Sequence, residues 1–443
     1  MKLRSPARSH FKAAQQAWAD EDPRGALREL AQGLRTDAGH KPLYKLAAQC
    51  LRALEAAEEA HLVEAVLADF RSADPIYALG DYYAGDQNFE LAIPILERAH
   101  ALAPQRLDVV LSLAQSYTSR FRPQDAYDVL QRTGLQRDFW ATYEFYWAAL
   151  LCKRHLPEIA EFVEAERANV ARADLDAELR DGLIYALDKL EQASARLQAF
   201  SPESPSRIWD WHFIQYGGAI LDYFDDREAE DGLTVAGGRW VALWISSAHA
   251  AMLLHKLRRL LTTLERRPQR VIALPDRDSE IIGRAAALLL ELPFELAEEE
   301  TGAALAQPHS LLVAADQRRL REKALLPVLP GQTIFALNLH WLHHGGLTPD
   351  VAGVMTQALY LPWNGALQVD PETRQVIHTD PDSRPAEVIA EELVATEPKQ
   401  DAHFDETLAF YRARAVYLKG GGRGGDLRFL FHCDSPVPGS YFT

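Results

Sequence analysis

Cysteine is scarce in this chain: Cys50, Cys152 and Cys433 are the only three in 443 residues. Their number and scatter exclude a disulfide framework and point to a reducing, cytoplasmic setting. Long apolar runs are missing too. No stretch reaches the roughly 18 uninterrupted apolar residues of a membrane span. The basic opening MKLRSPARSHFK has no apolar segment behind it, so no secretory signal is expected. Positive charge is in deficit, with 47 Lys and Arg against 63 Asp and Glu and a formal net charge of −16. That balance argues against non-specific nucleic-acid binding, which phosphate neutralisation drives. There is no Cys-x-x-Cys pair for a zinc site and no G-x-S-x-G for a serine nucleophile.

What is present suits a globular protein with two or three cores: 48% hydrophobic and 25% charged residues. Small residues recur at a fixed spacing in the first third. Gly80, Ala114 and Ala148 are 34 residues apart, as are Ala92, Ala126 and Ala160, Ala14 and Ala48, and Ala26 and Ala60. The clearest unit reads YALGDYYAGDQNFELAIPILERAHALAP. Small side chains at 80, 92 and 99 let two helices approach, Tyr83 and Leu96 fill the space beside them, and Pro104 stops the second helix. Residues 41–72 are the most degenerate, and the register slips there, since Ala60 to Ala92 is 32 residues.

This pattern resembles the tetratricopeptide repeat (TPR), a helix–turn–helix unit, over residues 7–172 in five copies. The resemblance implies an all-α solenoid over 1–200, closed by a charged capping helix at 174–198. It also implies a concave groove lined by the first helix of each repeat. Mapped here, that groove carries Phe11, Gln15, Trp18, Lys45, Gln49, Arg52, Tyr77, Asp81, Leu111 and Gln115. Such a mixture suits a protein or peptide partner. Only Lys45 and Arg52 are positive, which counts against a C-terminal carboxylate as ligand.

The segment SPESPSR (201–207) reads as a linker, and 208–443 as a second domain. From Arg239 strand and helix patterns alternate. Strand-like runs fall at 240–245, 270–275, 310–316 and 332–341, with PFEL as a further strand. Helical patterns fall at 247–265 and 279–291, and a basic helix is expected at 317–325. Alternation of this kind implies an α/β domain with a mainly parallel, doubly wound sheet. Ligands bind beyond the carboxyl ends of such strands. VIALPDRDSEIIGRAAALLLELPFEL and SLLVAADQRRLREKALLPVLPGQTIFALNLHW are similar in layout to the phosphoribosyltransferase fold. The enzymes carry an acidic pair and a Thr/Gly-rich phosphate loop. Here Asp316 is followed by Gln317, Arg318 and Arg319, side chains that obstruct close backbone approach, so the resemblance implies lost transferase activity.

Several residues could carry chemistry. Asp276, Asp278, Glu280 and Asp316 lie at strand ends and could hold Mg²⁺; helix capping at the 276–280 cluster accounts for the same residues. His340, His343 and His344, with His432, Cys433 or Asp434, are metal candidates without a zinc spacing. GGGRGG (420–425) reads as a hairpin loop between strands, and Asp222 to Asp231 as a solvated acidic loop. Lys256, Arg258, Arg259, Arg266, Arg267 and Arg270 suit a helix end or a phosphate patch. Two functions follow. One is a cofactor-free adaptor that holds a protein partner through its repeats. The other is a nucleotide- or sugar-phosphate-binding enzyme with its site at Asp276–Glu280 and Asp316.

Overall fold

The computed structural model describes residues 6–134, 138–200, 207–223, 239–299, 302–341, 345–365, 367–369, 376–378, 380–401, 403–432 and 440–442. The chain forms two compact units, Met1–Leu156 and Pro157–Cys433 with Val437–Thr443.

The first unit is a run of helical hairpins. Helix α1 (Pro6–Ala19) packs on α2 (Pro23–Thr36), α3 (Lys41–Ala53) on α4 (Ala57–Ala68), α5 (Ala73–Gly85) on α6 (Phe89–Leu102), and α7 (Leu107–Ser119) on α8 (Pro123–Thr133); α9 (Phe139–Leu151) follows. Each first helix ends on one left-handed residue: Glu21, Glu55, Gln87, Phe121 and Lys153, with φ from 54° to 62°. The next amide bonds back five residues each time, as in Asp22 N to Ala17 O at 2.9 Å and Asn88 N to Tyr83 O at 2.8 Å. This is a Schellman closure. The turn residues stand 34, 32, 34 and 32 apart, so the period holds with two slips rather than one. One position departs from expectation. Ala14, Ala26, Ala60, Ala92, Ala114 and Ala126 are sealed in the helix contacts, but Ala160 is exposed, and its neighbours Ile159 and Val163 are buried instead.

Gly80 plays the expected part, because a Cβ there would sit 2.8 Å from Leu96 carbons. The degenerate second repeat is held from outside. Arg98 on α6 donates to Ala38 O at 2.9 Å and to Phe70 O, and its guanidinium lies 3.7 Å over the Phe70 ring. One cation thus closes the carboxyl ends of α2 and α4, where helix dipoles favour it.

The second unit opens with α10 (Glu158–Arg172) packed on α11 (Ala177–Leu197). The sequence places these helices with the repeats and the break at 201–207; the compact units divide earlier, between Leu156 and Pro157. Arg196 on α11 explains why. It is fully buried and donates to the carbonyls of Ile214, Gln215, Tyr417 and Gly424 at 2.6–3.3 Å. Residues 201–206 lie outside the described residues.

After α12 (Ile208–Tyr216) comes an eight-stranded sheet. Its strands are β1 (Ala219–Ile220), β2 (Arg239–Trp244), β3 (Arg270–Ala273), β4 (Phe294–Leu296), β5 (Ser310–Asp316), β6 (Thr333–His340), β7 (Val351–Tyr360) and β10 (Ser440–Phe442). The order is β10-β2-β7-β6-β5-β3-β4, with β1 beside the start of β7, and each pairing is parallel. Strands β5 and β6 are buried on both faces, as a parallel sheet requires. Helices α13 (Ser247–Thr263), α14 (Arg277–Leu290) and α15 (Ala386–Ala395) pack together, and Gly283 of α14 lies against the Ala273 side chain. On the other face Ile272, Leu312 and Ile334 pack with Leu305, Leu320, Leu325 and Leu347 from connecting turns.

The basic helix expected at 317–325 is instead two 3-10 turns, Gln317–Arg319 and Lys323–Leu325, because Leu320 and Leu325 must both reach the core. Strands β8 (Leu367–Val369) and β9 (Val376–His378) form a small antiparallel pair, and α16 (Phe404–Ala413) completes the elements. The glycine-rich run is no hairpin loop between strands. It follows the 3-10 turn Ala415–Tyr417 and wraps tightly, since a Cβ at Gly421 or Gly424 would collide with the carbonyl oxygens of Ala415 or Leu418.

Candidate functional site

The carboxyl ends of β3, β5, β6 and β7 open into a cleft of about 750 Å³. Asp276 follows β3 and caps α14, accepting from Ser279 N at 3.0 Å, while Arg319 approaches its other oxygen at 3.3 Å. Asp278 accepts from Trp363 Nε1 at 2.7 Å and Asn364 Nδ2 at 2.9 Å, so it ties the loop after β7 to the cleft. Asp316 ends β5 and takes both arms of Arg318 at 2.9 Å, plus Asn338 Nδ2 at 3.2 Å. Asn338, level with it on β6, accepts in turn from Thr356 Oγ1 at 2.9 Å. Burial alone would raise the Asp316 carboxyl; the bonds from Arg318 outweigh it and hold the group below the usual carboxylate value.

The sequence candidates Asp276, Asp278 and Asp316 therefore converge on one cleft. Glu280 does not line it and pairs with Arg284 one turn along α14 at 2.8 Å. Arg318, Arg319 and Arg321 line the same cleft as the acids. Their only sequence signal was the cluster of cations just past a strand end. Each lining aspartate is already engaged by an arginine, an indole N–H or an amide. No histidine, cysteine, serine or lysine stands among the described lining residues. The arrangement can bind polar groups through guanidinium and carboxylate.

Other candidates fall elsewhere. His340 ends β6, and His432 joins its backbone N–H and C=O to the Tyr216 hydroxyl. His343, His344, Cys433 and Asp434 lie outside the described residues. Among the described residues no three His, Cys, Asp or Glu come together as a metal site. The basic set does not form one patch. Lys256 is buried, Arg259 pairs with Asp405, Arg266 donates to the Lys419 carbonyl, and Arg270 meets Glu295 at 3.7 Å. Asp222 is not part of a solvated loop: it is enclosed between His249 and Lys256. Residues 224–231 of that acidic run lie outside the described residues.

In the first unit, Gln15, Lys45, Gln49, Asp81 and Gln115 are exposed on α1, α3, α5 and α7, while Phe11, Trp18, Tyr77 and Leu111 are half-buried there. Asp81 accepts from Ser112 Oγ at 2.8 Å, and Gln115 donates to Glu144 at 2.9 Å, linking α5 to α7 and α7 to α9. Arg52 turns to α4 and grips Glu64 with two bonds of 2.9 and 2.6 Å. The expected groove set stops at Gln115 and omits α9, where Phe139, Tyr143 and Trp147 stack in series and Trp140 is 39% exposed.

No family model matches the chain, and no curated protein matches it. Among solved structures it is similar to a thermophilic TPR protein of Thermus thermophilus, at 16% identity and a TM-score of 0.24, over 41% of this chain and 98% of that one. No helix among the described residues is long and apolar enough to cross a membrane.

Proposed function

We propose that the chain is a cytoplasmic adaptor whose helical-hairpin unit docks a protein or peptide partner, with the α/β unit as a second binding surface. The observation that carries this reading is the set of first helices with exposed polar positions already linked across α5, α7 and α9 by Asp81–Ser112 and Gln115–Glu144. Side chains fixed before binding lose less freedom when a partner arrives. With Arg52 committed to Glu64, Lys45 is the remaining cation of the predicted groove set, which favours a neutral or basic peptide over an anionic one. The unbridged thiols of Cys50 and Cys152 support a reducing compartment. The test is affinity capture with the full chain against a Gln49→Ala/Asp81→Lys/Gln115→Ala variant of matched melting temperature. A partner lost in the variant supports the reading; an undiminished capture overturns it.

A second reading, a nucleotide- or sugar-phosphate-binding α/β unit, is favoured by the openness and polarity of the cleft at Asp276, Asp278 and Asp316. Bound Mg²⁺ would have to displace arginine or indole partners from these carboxylates. Thermal-shift screening with nucleotides and sugar phosphates, with and without Mg²⁺, tests it. A shift that disappears in Arg319→Ala or Asp276→Ala supports it, and no shift with any of them removes it.

A further inference from the structure

A second cleft, of about 360 Å³, opens where β1 and β2 end and α13 begins. Its floor is a buried polar cluster assembled from distant parts of the chain. Asp222, two residues past β1, accepts from His249 Nε2 at 2.8 Å and from Lys256 Nζ at 3.0 Å. His249 and Lys256 sit seven residues apart on α13, hence on one face. Lys256 also meets Asp401 at 2.5 Å and donates to Leu221 O at 3.2 Å. Burial would raise the Asp222 carboxyl, but the bonds from His249 and Lys256 prevail and hold it below its ordinary value.

An ionised carboxylate only accepts, so Nε2 carries a proton, and in the neutral imidazole Nδ1 presents a lone pair. No described residue bonds to Nδ1. The walls are aromatic: Trp240 and Trp244 line the cleft, and Trp244 is 43% exposed and stacks on Tyr360 at 4.3 Å. Lys256 pairs with both aspartates, one cation between two carboxylates. Lys399, exposed at the cleft, has no ion-pair partner among the described residues. An acceptor, flat apolar walls and a lysine with no ion-pair partner among the described residues define a ligand by its chemistry.

We propose that this cleft binds a small aromatic carboxylate bearing a ring N–H or O–H, with that hydrogen donated to His249 Nδ1, the ring against Trp244 and the carboxylate on Lys399. The volume suits a one- or two-ring molecule. Lys256 and Asp222 act as positioning residues that fix the imidazole tautomer. The site is separate from the arginine-lined cleft and does not depend on the docking of a protein partner.

Isothermal titration calorimetry of the full chain with indole-3-carboxylate and 4-hydroxybenzoate tests the site, with indole as the uncharged control. At least one carboxylate is expected to bind, and indole about tenfold more weakly or not at all. His249→Leu and Lys399→Glu should each weaken binding by about tenfold, and Trp244→Ala should weaken it as well. Lys399 and Trp244 are exposed, so their variants test the site even if His249→Leu fails to fold. Arg319→Ala, in the other cleft, should leave the affinity unchanged. Absence of binding by both carboxylates, equal binding of indole, or affinities indifferent to Lys399→Glu and Trp244→Ala would each overturn the proposal.

Discussion

Arg428 grips Asp350 with two parallel bonds, Nε to Oδ1 at 2.9 Å and Nη2 to Oδ2 at 2.8 Å, and both side chains are closed to solvent at 0% and 1% exposure. Asp350 precedes β7 and also accepts from Ile334 N of β6, while Arg428 donates to the carbonyls of Leu325 and Pro327. Removing one partner of a buried pair strands the other's charge. Arg428→Met should destabilise the second unit by about 3–5 kcal/mol. Adding Asp350→Asn should cost less than the two single changes together. Urea denaturation of the three variants checks this.

Acid should weaken the fold before carboxylates titrate. His212 is buried, neither ring nitrogen has a hydrogen-bond partner among the described residues, and burial followed by the nearby Arg196 charge pulls its pKa down to about 3. Between that value and the ordinary 6.5 the unfolded chain binds a proton that the folded chain refuses. Stability is therefore full above about pH 6.5 and falls on acidification by up to about 1.4 kcal/mol per pH unit. Denaturation midpoints at about pH 7, 6 and 5 should show the slope in the parent and a flatter one in His212→Phe. Asp350, Asp316 and Asp222 are held below their usual values, so their contributions are present above about pH 4 and are lost only as pH falls below that.

The hairpin turns carry a cost. Glu55 and Gln87 hold left-handed backbone without glycine's freedom. Glu55→Gly should stabilise the first unit by about 0.5–1 kcal/mol, and His61→Gly, at an exposed position inside α4, should destabilise it by a similar amount. Thermal melts of the two variants check the contrast.

Gly353 in β7 has no room for a side chain, since a Cβ would lie 2.5 Å from the Leu337 carbonyl oxygen of β6. Gly353→Ala should push these central strands apart, cost about 1–3 kcal/mol, and raise amide exchange along β6 and β7. Exchange unchanged from the parent would refute this account.

The repeats were readable because their signal is steric. Gly80, Ala92 and Ala99 must be small whatever surrounds them, and their spacing survives in sequence. The turns were not, because Glu, Gln, Phe and Lys occupy positions where glycine would have announced a left-handed residue. Asp276 and Asp316 were readable as polar residues closing apolar strands. Asp222, His249, Lys256 and Asp401 were not, because they meet only after a long stretch of chain has folded between the first and the last. Ala160 was misplaced because its helix, α10, packs on α11 within the second unit instead of continuing the repeats.

Arg196 has a practical corollary for anyone dividing this protein. A fragment ending near residue 200 keeps the guanidinium but discards the carbonyls of Ile214, Gln215, Tyr417 and Gly424 that hold it. Such a fragment strands a guanidinium that the whole chain keeps buried, whereas dividing at Leu156 leaves that arginine in one piece with its carbonyls.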